Sequence, residues 1–116
     1  LYLGMTRFLE KISQSKLEGN YIKLLNQLEK NQLIILDDFG LQPLDSNTRL
    51  ALLQMLEDRY GKKSIVITSQ LPIKSWFEYI NEPTLADAIL DRMTANANKI
   101  ELTGESLRKE KSTKKS

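Results

Sequence analysis

The chain has no cysteine and no histidine among its 116 residues. Without cysteine there is no disulfide framework and no thiolate metal site, which fits a reducing compartment. Without histidine there is no Ser-His triad, no imidazole base, and the commonest zinc ligand is missing. No apolar run approaches the length of a membrane span, and no stretch reads as a signal peptide, so a cytoplasmic protein with no membrane partner is expected. Glycine is sparse. The five glycines are Gly4, Gly19, Gly40, Gly61 and Gly104, and none precedes Lys-Ser or Lys-Thr. The phosphate-cradling loop G-x-x-x-x-G-K-[ST] is therefore not written in this chain. The first residue is Leu1 and not Met, as expected of a piece of a longer protein.

What remains is ordinary for a globular domain: 41% hydrophobic and 28% charged residues, with enough length for one domain and a real core. The net charge of +2 is unevenly placed. Residues 1–107 carry 12 basic and 14 acidic side chains, whereas residues 108–116 carry 5 basic and 1 acidic. Two segments are expected: a folded part over 1–107 and a basic, disordered tail over 108–116. Such a tail is either a solvated end or a contact for DNA phosphates. Aromatics do not interleave with it, so stacking on single strands is not indicated.

Periodicity predicts a short strand at 1–5 and helices over 6–17 and 21–30. The first helix carries Phe8, Leu9 and Ile12 on one stripe, and the second carries Tyr21, Leu24, Leu25 and Leu28. Asp45 or Ser46 is placed to cap a third helix that runs to Tyr60 on Leu50, Leu52, Leu53 and Leu56 and stops at Gly61. A β-branched strand follows at 64–68. Pro83-Thr84 opens another helix, with Thr84 and Asp87 at capping-box spacing and Leu85, Ile89 and Met93 inward. A last strand is expected at 99–102. Strands alternating with helices imply an α/β fold with a parallel sheet.

The chemistry concentrates in Leu33-Ile34-Ile35-Leu36-Asp37-Asp38-Phe39-Gly40. Four bulky apolar residues predict a strand buried on both faces. Two carboxylates at its C-terminal end stand where an open parallel sheet binds ligands. An apolar strand ending in acids is how nucleoside triphosphatases hold Mg²⁺, the Walker B arrangement, with one acid for the metal and one to polarise water. The competing reading is an ordinary strand entering an Asp-rich turn. The strand at 64–68 ends in Thr68-Ser69-Gln70, whose hydroxyls and amide can orient water or touch a phosphate, although strands commonly run into polar turns. Arg92 has Ile89 and Ala88 at i−3 and i−4, so no acid pairs with it at helical spacing. An unpaired guanidinium there suits another molecule's phosphate; the alternative is a surface Arg that packs its stem.

Together the octet, DRYGKKS, ITSQLPI, PTLADAILDRM and ELTGESLRK resemble the IstB-like ATP-binding transposition helpers of bacterial insertion sequences. These are AAA+ proteins related to the DnaC helicase loaders. The resemblance implies a partial three-layer P-loop NTPase fold of the AAA+ type that lacks its P-loop strand. It places that strand between the strands at 33–36 and 64–68, so that the chain alone would lack the middle of its sheet. It implies ATP and Mg²⁺ as cofactors of the intact protein. Asp37 would be the metal ligand and Asp38 the catalytic acid. Ser69, with Thr68 or Gln70, would lie in the sensor 1 region, Arg92 would be an arginine finger acting on a neighbouring subunit, and Arg108 would stand near a sensor 2 position. The partners implied are DNA, a transposase and further copies in an AAA+ oligomer. A helicase loader of the same fold is the alternative partner reading. A phosphoacceptor receiver domain also uses an Asp pair, but needs a further Asp where this chain has Thr68. A non-catalytic interaction module is the reading favoured by the missing loop. Without that loop the chain alone is expected not to hydrolyse ATP.

Overall fold

A computed structural model describes residues 1–94 and, through its backbone, the strand at 98–102. The elements alternate as expected: β1 (Tyr2–Gly4), α1 (Met5–Glu18), α2 (Tyr21–Glu29), β2 (Leu33–Asp37), α3 (Ser46–Arg59), β3 (Ser64–Ser69), α4 (Trp76–Ile80), α5 (Pro83–Met93) and β4 (Asn98–Leu102). A 3₁₀ turn, Ile73–Ser75, leads into α4. All four strands run parallel in the order β1-β2-β3-β4.

This order overturns one expectation. β2 and β3 pair directly, with Leu33 opposite Ser64 and Leu36 opposite Ile67, so no strand is missing between them. Their hydrogen-bonded ladder closes the space that a middle strand would occupy.

The step-wise order also decides where the helices go. Parallel crossovers share one hand, so a sheet that grows in a single direction collects its helices on one face. On that face Leu3, Ile34, Leu36, Ile65 and Ile67 join one core with Phe8 and Ile12 of α1, Leu28 of α2, Leu52 and Leu56 of α3, and Ile89 of α5. On the other face Ile35 and Val66 are only half-buried, and Leu33 is exposed. The expectation of a strand buried on both faces is thus met on one. The second helical layer of a three-layer fold is not among the described elements.

Local details show which sequence signals governed each element. Asp45 caps α3 by accepting from the Thr48 backbone N–H at 2.7 Å. Leu50, expected on the inner stripe of α3, is 51% exposed; Ala51, Leu52, Met55 and Leu56 face the core instead. The cap of α5 is Glu82, whose carboxylate accepts from the Leu85 N–H at 2.6 Å, with Pro83 in the first turn. The Thr84–Asp87 capping box does not form that N-terminus, because the helix starts at Pro83, two residues before a Thr84 cap would start it, and Glu82 takes the cap position. Among the described residues, no helix is long and apolar enough to cross a membrane.

Candidate functional site

The parallel register carries β2 and β3 to a common end, one step beyond the Leu36–Ile67 pair. There Asp37 and Thr68 meet. The Thr68 hydroxyl donates to Asp37 Oδ1, and Thr68 Oγ1 itself accepts from the Asp38 backbone N–H at 3.1 Å. One hydroxyl therefore places both acids. The second oxygen of Asp37, Oδ2, accepts from the phenol of Tyr2 on β1. The Thr68 bond first, and then the Tyr2 bond, hold the Asp37 carboxyl below its ordinary pKa, so it is anionic at neutral pH.

Asp38 turns the chain out of the strand. Its φ is +64°, in the left-handed region that Asp tolerates better than most side chains. The Phe39 N–H donates to the Thr68 carbonyl at 2.9 Å, and the Leu41 N–H closes the turn onto the Asp38 carbonyl at 3.1 Å. Gly40 follows at φ +98°, where a Cβ would stand 2.9 Å from Leu71 Cβ. Ser69 is fully buried under this turn. Its hydroxyl donates to the Phe39 carbonyl and accepts from the Leu71 N–H at 3.0 Å. Phe39 anchors the turn from below: its ring meets Trp76 edge-on at 4.7 Å and Tyr79 at 5.0 Å. Trp76 Nε1 in turn donates to the Leu71 carbonyl at 2.8 Å, and the Tyr79 hydroxyl donates to the Gln42 carbonyl at 2.5 Å.

The structure thus brings together Asp37, Asp38, Thr68, Ser69 and Gln70. Asp38 and Gln70 line one depression with Gly40, Leu41 and Leu71. Arg92 lies elsewhere, in a shallow depression with Glu57 and Tyr60. It is not the unpaired cation that its helical spacing suggested. Its Nη1 is 2.7 Å from Asp91 Oδ2, and its guanidinium lies over the Tyr60 ring. The i−3/i−4 rule overlooks an acid one residue away that folds back over the helix surface. Arg108 and the basic segment 108–116 lie outside the described residues.

Two contributors escaped the sequence reading. Tyr2 comes from a three-residue strand 35 positions away from Asp37, and no spacing rule links them. The aromatic anchor falls in 76–79, a segment that carries no strong periodicity. Its signal was compositional: the single Trp and two other aromatics sit within four residues.

The donor set was tested against a divalent cation. Asp37 offers an ionised carboxylate at the end of the sheet, the kind of oxygen donor a hard cation takes. Among the described residues there is no group of three or more acidic, His or Cys ligands. Mg²⁺ is commonly held by one or two carboxylates together with substrate phosphates and water, and Asp37 fits that donor type.

Comparison with known proteins gives the family. The family described as IstB-like ATP binding protein matches residues 1–115. The insertion sequence ATP-binding protein y4pL of Sinorhizobium fredii is 50% identical over 109 residues, covering 94% of this chain and 44% of that protein. Its relative y4uH, from the same organism, is 46% identical over the same shares. The IS232 ATP-binding protein of Bacillus thuringiensis is 33% identical over 100 residues, covering 86% of this chain and 40% of that protein. The chain spans less than half the length of these relatives. Its match over nearly every residue, with the acid-ended strand at its centre, makes this chain a member of the IstB-like ATP-binding protein family.

Proposed function

We propose that this chain is the part of an AAA+ ATPase that carries its metal-binding and water-activating acids, and that the intact protein assembles on DNA and assists the transposase of an insertion sequence. The observation that carries the reading is the shared Thr68 hydroxyl, which fixes Asp37 and Asp38 at the end of a central parallel strand. The names of the relatives support the ATP and insertion-sequence parts of it.

In this reading Asp37 is the Mg²⁺ ligand and Asp38 is the base that orients the attacking water. Bound Mg²⁺ would neutralise charge on the nucleotide phosphates. Thr68 donates to Asp37 and accepts from the Asp38 amide, so it sets the spacing of the two acids. Ser69 has its hydroxyl committed to the turn beneath them and serves by holding it. Gln70, at the rim of the Asp38 depression, is the member of the sensor 1 trio best placed to meet a γ-phosphate. Arg92 lies on α5 in a different depression from Asp38 and pairs with Asp91, and we read it as a finger reaching nucleotide held by a neighbouring copy. Arg108 and the Lys-rich segment are proposed as a second nucleotide contact and a DNA contact. The backbone cradle and lysine for the β- and γ-phosphates have to come from a part of the protein outside this chain.

The test separates the two acids in a full-length family protein containing this segment. Asp37→Asn is expected to weaken Mg²⁺-nucleotide binding, whereas Asp38→Asn keeps binding and slows hydrolysis. Equal loss of nucleotide binding in both variants would overturn the division of labour.

A further inference from the structure

The Asp37 carboxylate is gripped from both sides, and the second grip comes from a residue that the Walker B pattern does not include. Tyr2 and Asp37 stand on the same face of adjacent parallel strands. Gly4 pairs with Asp37 and Tyr2 with Ile35. With glycine opposite the acid, no side chain stands between Asp37 and the tyrosine two residues earlier. A Cβ at Gly4 would meet nothing within 4 Å, so that side of the carboxylate is open. The phenol leans across this space and donates to Oδ2, while Thr68 donates to Oδ1.

We infer that Tyr2 is a positioning residue for the metal-binding carboxylate: its phenol and the Thr68 hydroxyl together fix the plane of Asp37 and leave the remaining lone pairs for Mg²⁺. An ionised carboxylate offers about four acceptor sites on its two oxygens. Two donors, one per oxygen, occupy two of them and restrict rotation about the last side-chain bond. Ligating carboxylates are tuned by such outer partners, and loss of one commonly costs 10- to 100-fold in metal affinity or activity. Tyr2 is 64% exposed, so its hydroxyl contributes little to the core and its loss should leave the fold intact. The exposure also places the expected effect at the lower end of that range.

The inference rests on Asp37 being the metal ligand, and the experiment separates the two claims. A full-length family protein containing this segment is titrated with Mg²⁺ in the presence of a fluorescent ATP analogue. The half-saturating Mg²⁺ concentration is read for the wild type, Tyr2→Phe and Asp37→Asn. Nucleotide affinity at saturating Mg²⁺ and the melting temperature are recorded alongside. Tyr2→Phe is expected to raise the Mg²⁺ midpoint roughly tenfold, with saturating nucleotide affinity and melting temperature unchanged. A purely structural role would move the melting temperature and leave the Mg²⁺ midpoint where it was. If Asp37→Asn shifts the midpoint and Tyr2→Phe does not, the role of Tyr2 is overturned and that of Asp37 stands. If neither variant shifts it, the metal reading of Asp37 falls, and the inference falls with it.

Discussion

The two ends of the β2–β3 pair are both tied by polar side chains, in opposite ways. At the N-terminal end the agent is Arg59, a cation only 1% exposed. Its guanidinium donates to the Leu28 carbonyl at 3.1 Å and to the Ser64 carbonyl at 2.7 Å, joining the end of α2 to the start of β3. Beside it, Lys63 donates to the Glu29 carbonyl and lies 3.6 Å from the Glu29 carboxylate. Burial pulls the Arg59 pKa down, with Glu29 opposing, yet guanidinium stays charged in proteins. At the C-terminal end the charges are carboxylates, half-exposed, held by two hydroxyls and an amide. The first end spends its cation on a carbonyl in the last turn of α2 and on the first carbonyl of β3. The second end fixes its anions and leaves lone pairs and solvent access free. Arg59 is buried with both terminal nitrogens committed to carbonyls, although its Nε finds no partner; the carboxylates are restrained but keep acceptor capacity.

The contrast is broken most severely by removing Arg59. Arg59→Met keeps much of the volume, takes the guanidinium from the Ser64 carbonyl and leaves the Leu28 carbonyl only backbone donors such as the Asn31 N–H at 3.2 Å. A buried group stripped of its partner costs about 1–3 kcal/mol; with Leu28 still partnered and Ser64 only partly buried, a loss of about 2–3 kcal/mol is expected in urea denaturation. A change below about 1 kcal/mol would mean that water replaces the guanidinium, and the N-terminal end would then be less dry than its burial indicates.

Gly40→Ala attacks the other end through its backbone. Alanine at φ +98° is strained, and its Cβ would have to push the Leu71 side chain from 2.9 Å. A cost of about 2 kcal/mol is expected. Because Leu71 and Ser69 lie under the acid turn, nucleotide binding in the full-length protein should fall as well. Stability lost with binding intact would show that the turn tolerates displacement and that the site is less rigidly held than the comparison claims.

Those two residues also mark what could be read in advance. The buried strands were legible because Ile34, Leu36, Ile65 and Ile67 fall in dense apolar runs, and the acids because they close one of those runs. Asp45 was legible as a cap because its side chain acts three residues away. The uncovered face of the sheet was not, since Leu33 and Ile35 are as apolar as their buried neighbours and only the connectivity decides which face the helices take. The Trp76–Ile80 helix was missed because five residues show too little of a 3.6-residue period. The grip of Tyr2 on Asp37 and the bonds of Arg59 to Leu28 span more than 30 positions, and such contacts exist only once the strands have paired.

The smallest effect sits at Asp38, and it tests whether the acid end carries strain that the Arg59 end does not. Asp38 holds φ +64°, a conformation that costs a side chain with a Cβ roughly 1–2 kcal/mol per residue and glycine almost nothing. Strain of this kind persists where the surroundings over-determine it, and here Thr68 fixes the Asp38 amide while Ser69 holds the next carbonyl. Asp38→Ala and Asp38→Gly both delete the carboxylate, so under the proposed role both should lose hydrolysis alike in the full-length protein. They differ only in the Cβ and in backbone freedom. Glycine relieves the left-handed strain but gives back about 0.5–1 kcal/mol in chain entropy. The glycine variant should therefore be more stable than the alanine variant by about 0.5–1 kcal/mol, with wild type between them because Asp visits this region more readily than Ala. Urea midpoints of the three proteins decide it. If alanine equals or exceeds glycine, no strain is stored at the acid turn, and the two ends of the sheet differ only in the sign and exposure of their charges.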